Sequence, residues 1–166
     1  MPIAVQVPKT PTQLDEVRAL MRSFIAWHKE RHREDIHLIN AYFGDAGFEE
    51  ELASLPGKYG PPRGQLLLAT LDDAPAGCVA LPEIDSGSCE MKRMFVYTQH
   101  HGKGVGRALA EAIIKEARAL GYRAMRLDTR FARTRPTDFT DGWASTPLSL
   151  TMNFRRMYGA GSFSWS

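Results

Sequence analysis

The sequence points to a mixed α/β fold: a central, mainly antiparallel sheet with helices on both faces. Three features lead there. The 166 residues suit a single domain, at roughly 150 residues per domain. Between Gln65 and Val96 three strand-like runs are joined by tight turns, which reads as an antiparallel meander. From Cys89 to Asp128 the order is strand, glycine-rich loop, helix, strand. That order implies a right-handed crossover and a last strand parallel to its partner.

Each element follows from local pattern. Ile3, Val5 and Val7 alternate as a short first strand. Lys9-Thr10-Pro11-Thr12 supplies a turn and a cap, with Thr12 read as the N-cap and Glu16 in the first turn. Leu14, Val17, Leu20, Met21, Phe24, Ile25 and His28 keep helical spacing to about Arg31. A second helix is expected from about Ala46 to Leu55, ended by Pro56-Gly57. Gly57 to Gly64 is a Gly/Pro-rich loop. Gln65–Leu71 and Cys78–Leu81 are strands joined through Asp72–Gly77. After the turn Asp85–Ser88, Cys89–Val96 alternates Cys89, Met91, Arg93 and Phe95 against Glu90, Lys92, Met94 and Val96. On that alternation Met91 and Phe95 share a core face. Leu109, Ile113, Ala117 and Leu120 place a helix over Arg107–Leu120, with Gly121 as its C′ residue. Tyr122–Asp128 is the strand after it. No linker divides the chain, so residues 1–166 are taken as one domain.

Composition narrows the function. Hydrophobic residues are 43% and charged residues 24% of the chain, an ordinary soluble mixture. No apolar run approaches the ~20 residues of a membrane span, and residues 1–11 carry no secretory pattern. The expectation is a cytoplasmic protein without membrane partners. Residues 1–129 hold 16 Lys/Arg against 17 Asp/Glu, and residues 130–166 hold five against two. This is not the charge of a nucleic-acid binder. Cys78 and Cys89 lack disulfide-framework or metal spacing and read as small strand residues. His28 and His32 stand at i, i+4 but lack the glutamate beside the first histidine that a zinc protease needs. They read as a solvated helix end, and no metal is expected. Glu30, Glu34, Asp35 and Glu49–Glu51 read as exposed helix faces.

The informative stretch runs from Glu90 to Leu109. Gly102, Gly104 and Gly106 let the backbone turn tightly and approach a ligand. The following helix offers unpaired N–H groups and the positive end of its dipole, an anion site suited to phosphate oxygens. Lys103 and Arg107 can add charge-assisted contacts. A Walker loop is absent. A dinucleotide fingerprint fails too, because Arg107 or Leu109 occupies the third glycine position. Asp128, 22 residues beyond Gly106, keeps a nicotinamide-dependent oxidoreductase as a third choice.

This stretch resembles the GCN5-related N-acetyltransferase (GNAT) superfamily, whose loop reads Gln/Arg-x-x-Gly-x-Gly/Ala. The match is His101-Gly102-Lys103-Gly104-Val105-Gly106, with His101 in place of Arg or Gln. Cys89–Val96 looks like the family's fourth strand and Gly121–Thr129 like its fifth. By element order the likeness covers about residues 3 to 129. The resemblance implies the GNAT-like acyl-CoA N-acyltransferase fold and acetyl-CoA as donor. It places the pyrophosphate on Gly102 to Arg107, with His101, Lys103 and Val105 included, and the pantetheine along Met94, Phe95 and Val96. It implies direct attack by a primary amine of a small-molecule or peptide acceptor, with no metal. Glu90, on the strand that would carry the thioester contact, is the candidate base and reads equally as a solvated strand carboxylate. Dimers are common in the family, so the resemblance admits a homodimer. The alternative is a CoA-binding domain of this fold with little or no catalysis.

From about residue 130 the chain departs from the family pattern. The family's Leu-Tyr-x-x-Leu-Gly-Phe helix, whose tyrosine serves as general acid, is missing at the expected distance. Tyr158 is the remaining candidate acid. With one choice of synonymous codons, Asp138–Ser145 read two nucleotides later becomes Leu-Tyr-Arg-Arg-Leu-Gly-Phe. A reading-frame slip between about Thr129 and Thr137 follows as an expectation, tested by sequencing the gene.

Overall fold

In the computed structural model, residues 2–128, 149–155 and 160–164 are described. Strand β1 (Ile3–Gln6) leads into α1 (Pro11–Arg31). The helix starts two residues earlier than expected, because Thr10 and not Thr12 is the N-cap. Thr10 Oγ1 accepts from the Gln13 N–H at 3.2 Å, and Gln13 Oε1 accepts from the Thr10 N–H at 3.2 Å. Pro11 fits the first helical position, since it has no N–H to leave unpaired. Thr10→Ala is expected to cost about 1 kcal/mol, read as a lowered urea midpoint with unchanged m-value.

Val17, Leu20, Met21, Ile25 and His28 form the buried stripe of α1. Where one helix was expected, two follow: α2 (Ile36–Phe43) and α3 (Asp45–Ala53), divided at Gly44. Ile39 and Phe43, one turn apart on α2, are buried. Next come β2 (Gln65–Leu71), β3 (Ala74–Leu81), a short β4 (Glu83–Asp85), β5 (Ser88–Val96), α4 (Val105–Ala119) and β6 (Ala124–Asp128). The stretch after residue 130, aperiodic by sequence, contributes β7 (Ser149–Arg155) and β8 (Ala160–Ser164). Strand pairing at a sheet edge is made by main-chain groups and does not require alternating side chains.

The sheet order is β1-β2-β3-β5-β6-β7-β8, with β4 beside β5. Pairing is antiparallel from β1 to β5, parallel for β5–β6 and β6–β7, and antiparallel for β7–β8. The parallel β5–β6 pair is the one the crossover through α4 requires. Two cores lie on opposite faces. Leu67, Val79, Met91 and Met125 pack with Leu109 and Ile113 of α4. Leu66, Leu68, Cys78 and Phe95 pack with Val17, Leu20 and Met21 of α1, and with residues of α2 and α3. The run Leu66-Leu67-Leu68 is therefore buried on both sides. No helix among the described residues is long and apolar enough to cross a membrane.

Strand β5 does not alternate evenly. Cys78 pairs with Phe95 but Ala80 with Lys92, so β5 carries one residue more than β3 across that interval. This is a β-bulge, and Arg93 within it has φ +54°. Side-chain parity reverses there. Cys89 and Met91 face α4, Phe95 faces α1, and Met94 and Val96 return to the α4 side. The expectation that Met91 and Phe95 share a face is thus corrected by the bulge.

Candidate active site

The loop between β5 and α4 is shaped by two glycines. Gly102 (φ +74°) and Gly104 (φ +87°) lie in the left-handed region, which other L-residues adopt only at a cost. Gly104 is the N-cap of α4, with no side chain to cap the helix. The first helical hydrogen bond is Ala108 N–H to Gly104 C=O, 3.0 Å. The N–H groups of Val105, Gly106 and Arg107 precede it, so they project from the helix end with the positive dipole. Gly106 has ordinary helical φ, and a Cβ there would meet only Met94 Cε and Val96 Cγ2, both at 3.8 Å. Packing does not demand a glycine at 106. Its absent side chain leaves room where the helix end stands over Met94 and Val96.

Those two residues belong to an open strand edge. β6 pairs with β5 only from Ser88–Ala124 to Met91–Leu127. From Lys92 to Val96 no described strand covers the β6-facing edge. Main-chain direction is settled by three contacts. The Glu90 N–H donates to Pro82 C=O at 3.1 Å and the Tyr97 N–H to Ala76 C=O at 2.9 Å, both on the β3 side. The carbonyl of Phe95 also lies against Gly77 of β3. With groups alternating along a strand, those of Met94 and Val96 point to the open edge.

The other candidates are placed as follows. Phe95 turns into the core beside Phe24 and Tyr97, ring centroids 5.9 and 5.8 Å away, so the structure does not bring it to the edge. His101 Nε2 donates to Val96 C=O at 2.9 Å, and its main-chain N–H to Thr98 C=O at 3.1 Å; both braces are internal. Arg107 pairs with Glu111 at 2.7 Å on an exposed helix face. Lys103 is exposed and has no ion-pair partner among the described residues. Glu90 is half-buried, on the face opposite Cys89 and Met91, and its carboxylate has no hydrogen-bond partner among the described residues. Tyr158 and residues 129–148, including the proposed frame-slip segment, lie outside the described residues.

Two other readings change. His28 and His32 are buried, not a solvated helix end, and their rings stack at 5.7 Å. Phe24 and Trp27 meet His28 edge-on at 4.4 and 5.1 Å. Burial, with the nearby His32, lowers the His28 pKa to about 4. Glu51, read as part of an acidic exposed face, is instead largely buried against Arg93. Sequence reasoning missed this pair. The available signal was an arginine inside an otherwise apolar strand face. Burial pushes the Cys78 and Cys89 thiols up to about 12, so neither is a thiolate near neutral pH, in keeping with their reading as strand residues.

Comparison with known proteins agrees with this geometry. Residues 28–139 match the Acetyltransferase (GNAT) family. An uncharacterised N-acetyltransferase of Schizosaccharomyces pombe is 34% identical over 129 residues, 76% of this chain and 72% of the relative. The chain belongs to the GNAT family. As an enzyme it falls in that family's class, the acetyl-CoA-dependent N-acetyltransferases. Two solved structures share the fold. An acetyltransferase from Streptococcus agalactiae has TM-score 0.62 at 22% identity, covering 85% of this chain and 81% of its own. The PaiA N-acetyltransferase from Thermoplasma acidophilum, solved in complex with coenzyme A, has TM-score 0.61 at 16% identity, covering 98% and 97%. In this GNAT chain β5 and β6 are the strands whose sequences resemble the family's fourth and fifth, numbered one higher here because of the short β4. Membership sets aside the nicotinamide reading.

Proposed function

We propose that this GNAT chain transfers the acetyl group of acetyl-CoA to a primary amine of a small-molecule or peptide acceptor. The observation that carries the reading is the juxtaposition of the α4 N-terminus with a strand edge that no described strand covers, both meeting at Met94 and Val96. The donor set fits CoA. The N–H groups of Val105, Gly106 and Arg107, with the Lys103 ammonium, suit a pyrophosphate. The amide-bearing pantetheine arm suits a strand edge toward which the Met94 N–H and C=O and the Val96 N–H point, the Val96 carbonyl already accepting from His101. The coenzyme A bound to the Thermoplasma relative supports the same ligand here.

Acetyl-CoA supplies an electrophilic thioester carbonyl. The N–H of Met94, facing the edge, is the candidate donor to the oxygen that gains charge during acyl transfer. Glu90 lies four residues earlier on β5, about 13 Å along the strand. Across that separation the proposed route for the ammonium proton is a chain of waters to the Glu90 carboxylate, leaving a neutral attacking amine. His101 holds the loop against β5 from its site on the Val96 carbonyl.

The test is calorimetric titration of the full chain with CoA and with NADH, then free-thiol release from acetyl-CoA over a panel of amines. CoA binding, no NADH binding and thiol release with at least one amine are expected. CoA binding with no release on any amine favours a binding domain. Absence of CoA binding overturns the reading.

A further inference from the structure

We propose that Arg93 and Glu51 are positioning residues: their buried ion pair pins the bulge of β5 and thereby aims the main chain of Met94 and Val96 at the acetyl donor. The inference rests on the reading of β5 as the CoA edge. It starts from a phase change in the strand. The N–H of Glu90, an even-numbered residue, and that of Tyr97, an odd-numbered one, both point to the β3 side. In an unbroken strand residues of opposite parity face opposite edges. Only the extra residue at the bulge reconciles the two. Without it, Met94 and Val96 would turn their polar groups toward β3, and Arg93 and Phe95 would supply the open edge. The bulge therefore decides which residues can meet a ligand.

Arg93 holds a φ of +54°, a conformation that a non-glycine residue keeps only when its surroundings over-determine it. The surroundings do so. Arg93 Nε donates to Glu51 Oε1 at 2.8 Å and Nη2 to Glu51 Oε2 at 3.1 Å. The guanidinium lies over the rings of Phe43 and Phe48, 4.9 and 5.6 Å from their centroids. Glu51 is held in turn by the Tyr59 hydroxyl at 2.7 Å and Lys58 Nζ at 3.2 Å. The pair ties α3 to β5 at the one residue where the strand changes phase. A fork-to-fork pair fixes direction as well as distance. Buried pairs of this kind are often replaceable by apolar side chains with little loss of stability, so geometry is the property they can add.

The experiment uses the full chain, with CoA as the probe. The unsubstituted chain is titrated first; failure to bind there overturns the CoA reading itself. The double variant E51L/R93M removes both charges and keeps apolar bulk. It should fold, with a Tm within about 5 °C of the unsubstituted chain, show displaced Met94 and Val96 amide resonances in the free protein, and bind CoA at least ten-fold more weakly. Those shifts need no ligand, and they are read again in E51Q, where residue 93 beside Met94 is unchanged, so they judge the strut independently of the CoA reading. Unmoved resonances with a Kd within two-fold overturn the positioning role. If the double variant does not fold, E51Q decides. A Kd raised three-fold or more supports the proposal, and a lowered Tm with unchanged Kd overturns it by showing a structural role alone. Arg93→Lys keeps one charge-assisted bond and should recover part of the affinity.

Discussion

Gly106→Asp is expected to weaken CoA binding by about 100-fold or more, equivalent to some 2.7 kcal/mol, while leaving the protein at least as stable as before. The two effects have opposite signs because they arise from different physics. For the free protein the substitution is benign. Gly106 has ordinary helical backbone, and an added Cβ would stand 3.8 Å from Met94 Cε and Val96 Cγ2, an ordinary contact. Replacing glycine inside a helix gains a few tenths to about 1 kcal/mol. An acidic side chain in the first turn gains about 0.3–1 kcal/mol from the helix dipole. For the ligand every term is adverse. The carboxylate fills the space beside the open edge and opposes a pyrophosphate across the same N–H groups. Gly106→Ala separates volume from charge and should weaken binding only a few-fold. Calorimetry with CoA and thermal unfolding, run on the same samples, check both signs. A variant with raised Tm and unchanged CoA affinity would place the phosphate elsewhere.

The loop was legible in the sequence because its determinants are local. Gly102 and Gly104 occupy positive-φ positions that only glycine takes freely, and the helix after them keeps a clean apolar period. The meander and the parallel crossover were legible for the same reason. The features that escaped notice depend on contacts between distant residues. Nothing in Cys89–Val96 marks an inserted residue, because the bulge is set by the register of β5 against β3 and by Glu51, 42 positions from Arg93. An acidic run on a helix ordinarily faces water, and only the arrival of α3 over Arg93 buries one of its members. His28 and His32 read as polar helix-end residues until Phe24, Trp27 and the rest of the second core close around them. The N-cap was displaced from Thr12 to Thr10 because Gln13 completes a reciprocal capping box that a search for glutamate alone passes over.

Acidification should unfold this chain in two overlapping steps, the second largest effect expected of it. The upper step belongs to His28. Burial, helped by the charge on neighbouring His32, lowers its pKa from 6.5 to about 4. Between those values the unfolded chain binds a proton that the native chain resists. Native stability is thus retained above pH 6.5 and falls as pH drops toward 4. At 1.36 kcal/mol per pH unit the loss is at most about 3 kcal/mol. The lower step belongs to Glu51. Burial alone would raise its pKa, but the hydrogen bonds from Arg93 and Tyr59 and the charges of Arg93 and Lys58 outweigh it, and the carboxyl falls from 4.5 to about 2. A depressed carboxyl contributes its stability above pH 4.5 and loses it as pH falls through 2, again at most about 3 kcal/mol. Both steps act in the same direction, and their sum is comparable with the roughly 5–15 kcal/mol that holds a small domain together. Urea titrations at half-unit intervals from pH 7 to pH 3 should therefore show stability level down to about pH 6.5 and falling from there to pH 3. His28→Phe, which keeps the aromatic contacts with Phe24 and Trp27, should flatten the limb between pH 6.5 and 4 and leave the lower one in place. An unchanged slope in that variant would assign the upper limb to other groups.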